Sequence, residues 1–526
     1  MGSFSIRPKE FMVPGFGKRS VGMLCVLLAV PLVLSSAMVA AASADDSADP
    51  AKTLRRPVAM ALSPDESLLF VANRDAGSIS VIDAEELTVL REAVVGKRLT
   101  DIAALDAEHL LVTDEAAHEL LVVWIRGVKL KVVSRLAVSP YPQDIELSSD
   151  GEKAYLSSLW SRQISVIDVT NRKQPRVTTT IDLPLAPNKL LLVKDHTRLI
   201  AADNFAGRLA IIDCEKRELI AVRTFFAENI RGLAVDPDSG LLAVSHTMLN
   251  EYAHTVRNDV HWGVLMSNDL RWLRLAEVLE PEGDFYHKGH MHPLGEPNMG
   301  GSDPGELAFF KDGTVVIPIA GVNKIAFGME GDFGMTRLQV GRRPTTVAAS
   351  DRWQRAFVAN TFDDSISVVD MKSKQVAETI SLGPQRDLTL AERGELLFHD
   401  GRLSHDGWMT CNTCHTRGHT NGGLNDNFSD KSFGAPKLVL SLLGASETAP
   451  YAWNGGTDAL EQQIRNSNEL TMHGREINDD QVAALAAYVR TLEPPPSVDA
   501  LRGRQNDDLI EQGKKVFESR DCAACH

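Results

Sequence analysis

Cys411, Cys414 and His415 stand in a C-x-x-C-H run, and Cys522, Cys525 and His526 stand in a second. Two thiols three positions apart can add across the two vinyl groups of one haem. The histidine that follows then faces the iron as an axial ligand. A lone C-x-x-C could be a redox disulfide or half a zinc site. The adjoining histidine, given twice, makes covalently attached c-type haem the expectation. Two such haems are expected, with His415 and His526 as the iron ligands.

Helices must position these motifs. Thr389-Leu390-Ala391-Glu392 reads as a capping box, and the helix it opens should carry Leu396, Leu397 and Phe398 toward the first haem. Asn478 to Gln481 opens a second helix in the same way. Val482, Leu485, Ala486, Val489 and Leu492 share one of its faces. Glu493-Pro494-Pro495-Pro496 ends that helix and makes a stiff linker. A further helix, near Asp507–Ser519, should carry Gly513 and Phe517 toward the second motif. A cytochrome domain needs about 80–100 residues beyond its haem motif. With His526 as the last residue, a sequence truncated within its second cytochrome domain is expected, lacking that haem's distal ligand.

The chain before residue 385 has a different rhythm. A unit of roughly 42 residues repeats over 57–384. Its clearest copy holds Val71-Ala72-Asn73 and then Ser78-Ile79-Ser80-Val81-Ile82-Asp83. The second element returns at Ile164–Asp168 and at Ile366–Asp370, and the first at Val358–Asn360. Seven copies start near Pro57, Leu99, Pro142, Pro187, Asn229, Pro281 and Pro344. Four short strands per copy predict an all-β seven-bladed propeller, followed by all-α cytochrome c-type domains. Copies two and six are degenerate, so six or eight blades remain compatible.

The 526 residues carry a formal net charge of −15, which argues against nucleic-acid binding. Arg7, Lys9, Lys18 and Arg19 precede an apolar run from Val21 to Leu34, and Ala42-Ser43-Ala44 reads as a cleavage site. This is the pattern of a secretory signal peptide over residues 1–44. A periplasmic or otherwise exported protein is expected, without a membrane span in its mature chain. The expected domains are then 45–384, 385–496 and 497–526. Cys25 falls in the signal and four cysteines serve haem, which leaves Cys214 as a reduced, inert thiol.

The repeats resemble the YVTN family of propellers, a scaffold that names no reaction. Its ligand is left unknown. Residues 388–526 resemble the bacterial di-haem cytochrome c peroxidases. The resemblance rests on Gly394–Ser404 before the first motif, Ala435–Gly455 after it, and Gly513–Phe517 before the second. It implies that one haem reacts with hydrogen peroxide while the other receives electrons from a small donor protein. By the same resemblance, Trp453 lies between the haems and Gln463 is a distal residue. The family's distal glutamate falls at His473 here, with Glu469 one helical turn earlier; either could move the proton. His399, His405 and His419 are candidates for a displaceable sixth ligand. Two other readings stay open. One is a di-haem electron-transfer or substrate-oxidising protein. The other is a propeller binding module with a redox-carrying cytochrome part.

Residues 246–312 interrupt the repeat and hold His246, His254, His261, His287, His290 and His292. They are expected to project as a long loop. The histidines could hydrogen-bond within it, hold copper or zinc, or meet the cytochrome part. Their spacing defines no coordination geometry.

Overall fold

The computed structural model describes residues 53–193 and 197–524. The proposed signal segment lies outside the described residues, as do Cys525 and His526.

Alternating apolar runs broken by turn residues make residues 57–381 a series of antiparallel sheets. The first contains Pro57–Leu62, Leu68–Asn73, Ser78–Asp83 and Thr88–Val94, paired in chain order. Four-stranded sheets of the same order occupy residues 99–137, 142–182, 308–339 and 344–381. The recurring tripeptide has a local purpose. The buried Asn73 amide donates to the Ser78 and Ser80 hydroxyls at 3.0 and 2.9 Å. Asn360 repeats this with Ser365 and Ser367 at 3.0 and 2.9 Å.

Residues 187–293 form one seven-stranded sheet. Its cause is the strand Glu218–Val235, which is 18 residues long. The strand pairs with Ala206–Asp213 through its first half and with Leu241–Leu249 through its second. The latter ladder shifts register between Glu228 and Gly232.

Leading strands of consecutive sheets neighbour one another, and the last, Pro344–Ser350, lies beside the first. Asp364 accepts from the Arg55 and Arg56 amides at 3.0 and 2.8 Å, tying the two ends. Leu69, Val71 and Ile82 pack against Phe357 and Ala359 across that seam. Each of the larger of these side chains contributes about 1.5–3 kcal/mol on burial. The sheet region is therefore propeller-like.

The sequence-based sixth repeat start, Pro281, is corrected. The sheet there begins at Ala308, because residues 266–293 are used to complete the preceding one. For the same reason residues 246–312 do not simply project. Met266–Arg274 and His290–Pro293 are ladder strands. Two short helices, α1 (Arg257–His261) and α2 (Leu275–Leu279), fill the turns.

The C-terminal region is helical: α3 (Leu390–Phe398), α4 (Cys411–Cys414), α5 (Leu460–Asn466), α6 (Asp479–Val489), α7 (Val498–Leu501) and α8 (Asp507–Ser519). It is not purely α, since Leu424–Asn425 pairs with Lys437–Leu438. Capping boxes at Thr389 and Asn478 start α3 and α6 as the sequence predicts. These helices cross tightly at Gly394, where any Cβ would overlap the Ala484 carbonyl. Among the described residues, no helix is long and apolar enough to cross a membrane.

Candidate haem site

The short helix α4 presents two chemically different faces. Thr410 caps it, accepting from the Thr413 amide at 3.0 Å while the Thr413 hydroxyl accepts from the Thr410 amide at 2.9 Å. Cys411 packs with Trp408, Met409, Val439 and Met472, and also meets the Phe398, Ile477 and Leu485 cluster. Cys414 joins the former group. Asn412, Thr413 and Thr416 point the other way and are buried against the sheets.

That docking face is held by hydrogen bonds. Asp303 accepts from Thr410 at 2.9 Å, from Asn412 at 3.1 Å and from Thr413 at 2.8 Å. The Asn229 amide donates to the Thr413 carbonyl at 2.6 Å, and its oxygen accepts from the Thr416 hydroxyl. The Trp408 indole fills the space beside Gly263 and Gly295. A Cβ at Gly263 would come within 2.5 Å of it. Its Nε1 donates to the His261 carbonyl at 3.1 Å. Asp303, Asn229 and Trp408 escaped the sequence reading. Only the Gly300-Gly301-Ser302-Asp303 run hinted at a close approach there.

His415 follows α4. Its Nδ1 lies 2.9 Å from the Leu440 carbonyl, and a carbonyl only accepts. The proton therefore sits on Nδ1, and Nε2 keeps its lone pair for a metal. Burial lowers the imidazole's proton affinity, which favours the neutral, ligating form. Burial pushes both cysteine thiols up to about 12. Thiols at i and i+3, an imidazole at i+4 whose Nδ1 is the donor, and an apolar wall fit a covalently held haem.

The other histidines near this motif are engaged elsewhere. His399 donates from Nδ1 to the Glu395 carbonyl at 2.9 Å, and burial holds its proton affinity far down. His405 lies 3.6 Å from Asp406. His419 bonds Ser441 at 2.8 Å and meets Trp160 and Phe205 edge-on.

The residues suggested for distal roles are spread along one stretch. Trp453 is 52% exposed in a loop. Gln463 lies on α5 and donates to Ser467 at 3.2 Å. Glu469 is exposed on the π-turn Ser467–Thr471 that follows. His473 has φ of 47° and donates from Nε2 to the Thr255 carbonyl at 2.9 Å. Thr255 belongs to the sheet region, so His473 is a docking residue in this arrangement. In the second motif, Cys522 starts a 3-10 turn after the exposed α8.

The six histidines of residues 246–312 do not converge. His246 is buried, donates to the Thr247 carbonyl at 2.9 Å and accepts from Arg271 at 3.2 Å. Burial, then the Arg271 charge, push its pKa down to about 3. His292 accepts from Trp272 at 2.8 Å and donates to the Asp332 carbonyl at 2.7 Å. His290 pairs with Glu330 at 3.0 Å and His287 with Asp284 at 3.0 Å. His254 stacks on Phe433 at 4.6 Å and faces Asp426 at 3.4 Å. His261 alone joins a set of ligand type, with His405 and Asp406, and it donates to Asp406 at 2.6 Å. Two of the six, His254 and His261, thus meet the cytochrome part.

Residues 389–496 match the di-haem cytochrome c peroxidase family. Two curated relatives are named cytochrome c551 peroxidase. That of Pseudomonas aeruginosa is 27% identical, over 26% of this chain and 49% of its own length. That of Nitrosomonas europaea is 24% identical, over 30% of this chain and 57% of its own length. The chain spans about half the length of these relatives. A chain of Kuenenia stuttgartiensis hydrazine synthase superposes with a TM-score of 0.53 at 21% identity, covering 60% of this chain and 96% of that one. This likeness concerns the fold alone. Residues 389–496 therefore carry a match to the di-haem cytochrome c peroxidase family, beside a propeller-like sheet region, and that family implies haem c.

Proposed function

We propose that the protein is an exported di-haem c-type oxidoreductase that reduces hydrogen peroxide with electrons from a small donor protein. The single observation that carries this is α4. Its thiols face one apolar wall, the His415 Nδ1 that follows donates to the Leu440 carbonyl, and its polar face is committed to the sheets. A haem held there supplies the redox-active iron. The second haem is assigned to Cys522, Cys525 and His526.

Peroxide reduction consumes two protons and two electrons per two waters formed. A side chain must take a proton from one peroxide oxygen and return it to the other. Glu469 is the favoured group. Among the described residues its carboxylate has no hydrogen-bond partner, whereas His473 is bonded to Thr255. Gln463, one turn before the π-turn, is assigned to orienting the substrate. Trp453 is assigned to the path between the haems.

The remaining chain serves as a scaffold. Dividing the seven-stranded sheet at the Glu228–Gly232 register shift gives it two blades, which supports a seven-bladed propeller over residues 45–384. The cytochrome parts are then 385–496 and 497–526, and residues 1–44 the export signal. The test is peroxide-dependent oxidation of a reduced small cytochrome c by the full chain. Turnover that requires both haems is expected. Haem-loaded protein that leaves the reduced donor unchanged would overturn the peroxidase reading.

A further inference from the structure

A cavity of about 350 Å³ lies where the sheet ring meets the helical region, away from the thiol face of α4. Asn412 and Arg417 line it from the helical side, and Arg231, Arg343 and Asp303 from the sheets. Most charges on its wall are matched. Lys189 contacts Asp144 at 2.5 Å and Glu306 at 2.6 Å, and Arg98 contacts Glu115 at 3.3 Å.

Arg231 and Arg417 are the exception. Among the described residues neither guanidinium has a carboxylate within ion-pair distance. Both instead donate to one neutral atom, Asn204 Oδ1, at 2.9 and 3.2 Å. Arg417 also donates to the Asn188 amide oxygen at 3.0 Å. Asn204 is fully buried, and its Nδ2 has no acceptor. Arg343 adds a third cation with an unbonded Nη1. Its nearest carboxylate, Asp303, is 3.7 Å away and already accepts three hydrogen bonds from α4.

Adjacent half-buried cations that share one neutral acceptor, with no carboxylate within ion-pair distance of either, are a costly arrangement. Burial, then the neighbouring Arg417 charge, lower the Arg231 pKa to about 9. The missing partner is an acceptor of negative charge. Planar guanidinium forks match the oxygens of carboxylate or phosphate groups. We propose that this cavity binds a small free oxyanion, a carboxylate or phosphate, between Arg231 and Arg417. The carboxylates of a haem held by Cys411 and Cys414 could supply the same chemistry. The free ligand is favoured because Arg417 and Asn412 face the cavity while both thiols face the apolar clusters.

The test is calorimetric titration of the full, haem-loaded chain with inorganic phosphate and with succinate, alongside Arg231→Gln. Saturable binding at one site is expected for at least one probe. Arg231→Gln should weaken it about 10- to 100-fold, the range for hydrogen bonds to charged groups. The same anion should raise the thermal midpoint of the parent and leave that of the variant unmoved. In anion-free buffer the variant should be at least as stable as the parent, since it loses an uncompensated cation. No saturable binding of either probe would overturn the proposal. If, in addition, Arg417→Gln shifts the haem potential, the haem carboxylates occupy the site and the free-anion assignment falls. A variant destabilised in anion-free buffer would make Arg231 structural and would also overturn it.

Discussion

Asp303 and Thr413 are 110 residues apart, yet the Thr413 hydroxyl donates to Asp303 Oδ1 at 2.8 Å. Thr413 is one of the two residues between the cysteines of the haem motif, on the side that turns away from them. The carboxylate belongs to the irregular segment that interrupts the sheet repeat. The orientation of α4, and so of its thiols, is therefore held by the sheet region.

Asp303→Ala should strand the donors of Thr410, Asn412 and Thr413 in a buried place. Losing this group should cost about 2–4 kcal/mol, given ~1–3 kcal/mol for each unsatisfied buried polar group and partial relaxation. Asp303→Asn should cost less, because its amide oxygen still accepts. Chemical denaturation of the three proteins measures the order, and equal stabilities would refute it.

Replacing either Cys411 or Cys414 by serine should remove one thioether from the first haem. Replacing both should leave no haem covalently attached at that motif. Haem retained on denaturing gels, compared with the parent, reads this directly. An unchanged signal from the double variant, in a protein also lacking Cys522 and Cys525, would disprove attachment at α4.

Glu469→Ala should lower peroxidase turnover by ~10²–10⁴-fold with the haem spectrum intact, as for loss of a general acid–base. His473→Ala should act differently. It removes the bond to Thr255 that joins the two regions, so thermal stability should fall while turnover per folded molecule changes little. The reverse pattern would make His473 the distal group.

Burial pushes the Glu228 carboxyl up to about 7, only partly offset by the bond it accepts from the Leu249 amide at 2.8 Å. Its unfolded value is about 4.3. Between these values the folded state binds more protons, so stability should decline as pH rises from ~4 to ~7 and then level off. Glu228→Gln should remove on the order of 1–3 kcal/mol of that decline. Unfolding free energies at pH 5 and 8 test it, and an identical slope in the variant would contradict the assignment.

Much of this architecture was legible locally. The capping boxes at Thr389 and Asn478 formed where the sequence implied, because a cap involves only residues three apart. The Asn73–Ser78–Ser80 bonding recurs wherever its tripeptide and following strand recur, since both lie on one hairpin. The i, i+3, i+4 spacing of Cys411, Cys414 and His415 placed them on one side of a helical turn before any fold was known.

The rest depended on contacts between distant segments. The histidines of residues 246–312 looked like a cluster in sequence, but strand pairing and the turns between the strands gave each its own partner. The sixth sheet began late because Glu218–Val235 joined two sheets, and its length relative to a single ladder followed from neighbours on both edges. Asp303, the pair Arg231 and Arg417, and the engagement of His473 by Thr255 arise at the junction of the two regions. Hydrogen bonds and ion pairs need atoms within a few ångströms, and only the closed ring brings these residues to that range. The residue types of the haem motif were thus determined by the sequence alone, whereas the face that motif presents, and the charge left beneath it, were decided by the tertiary structure.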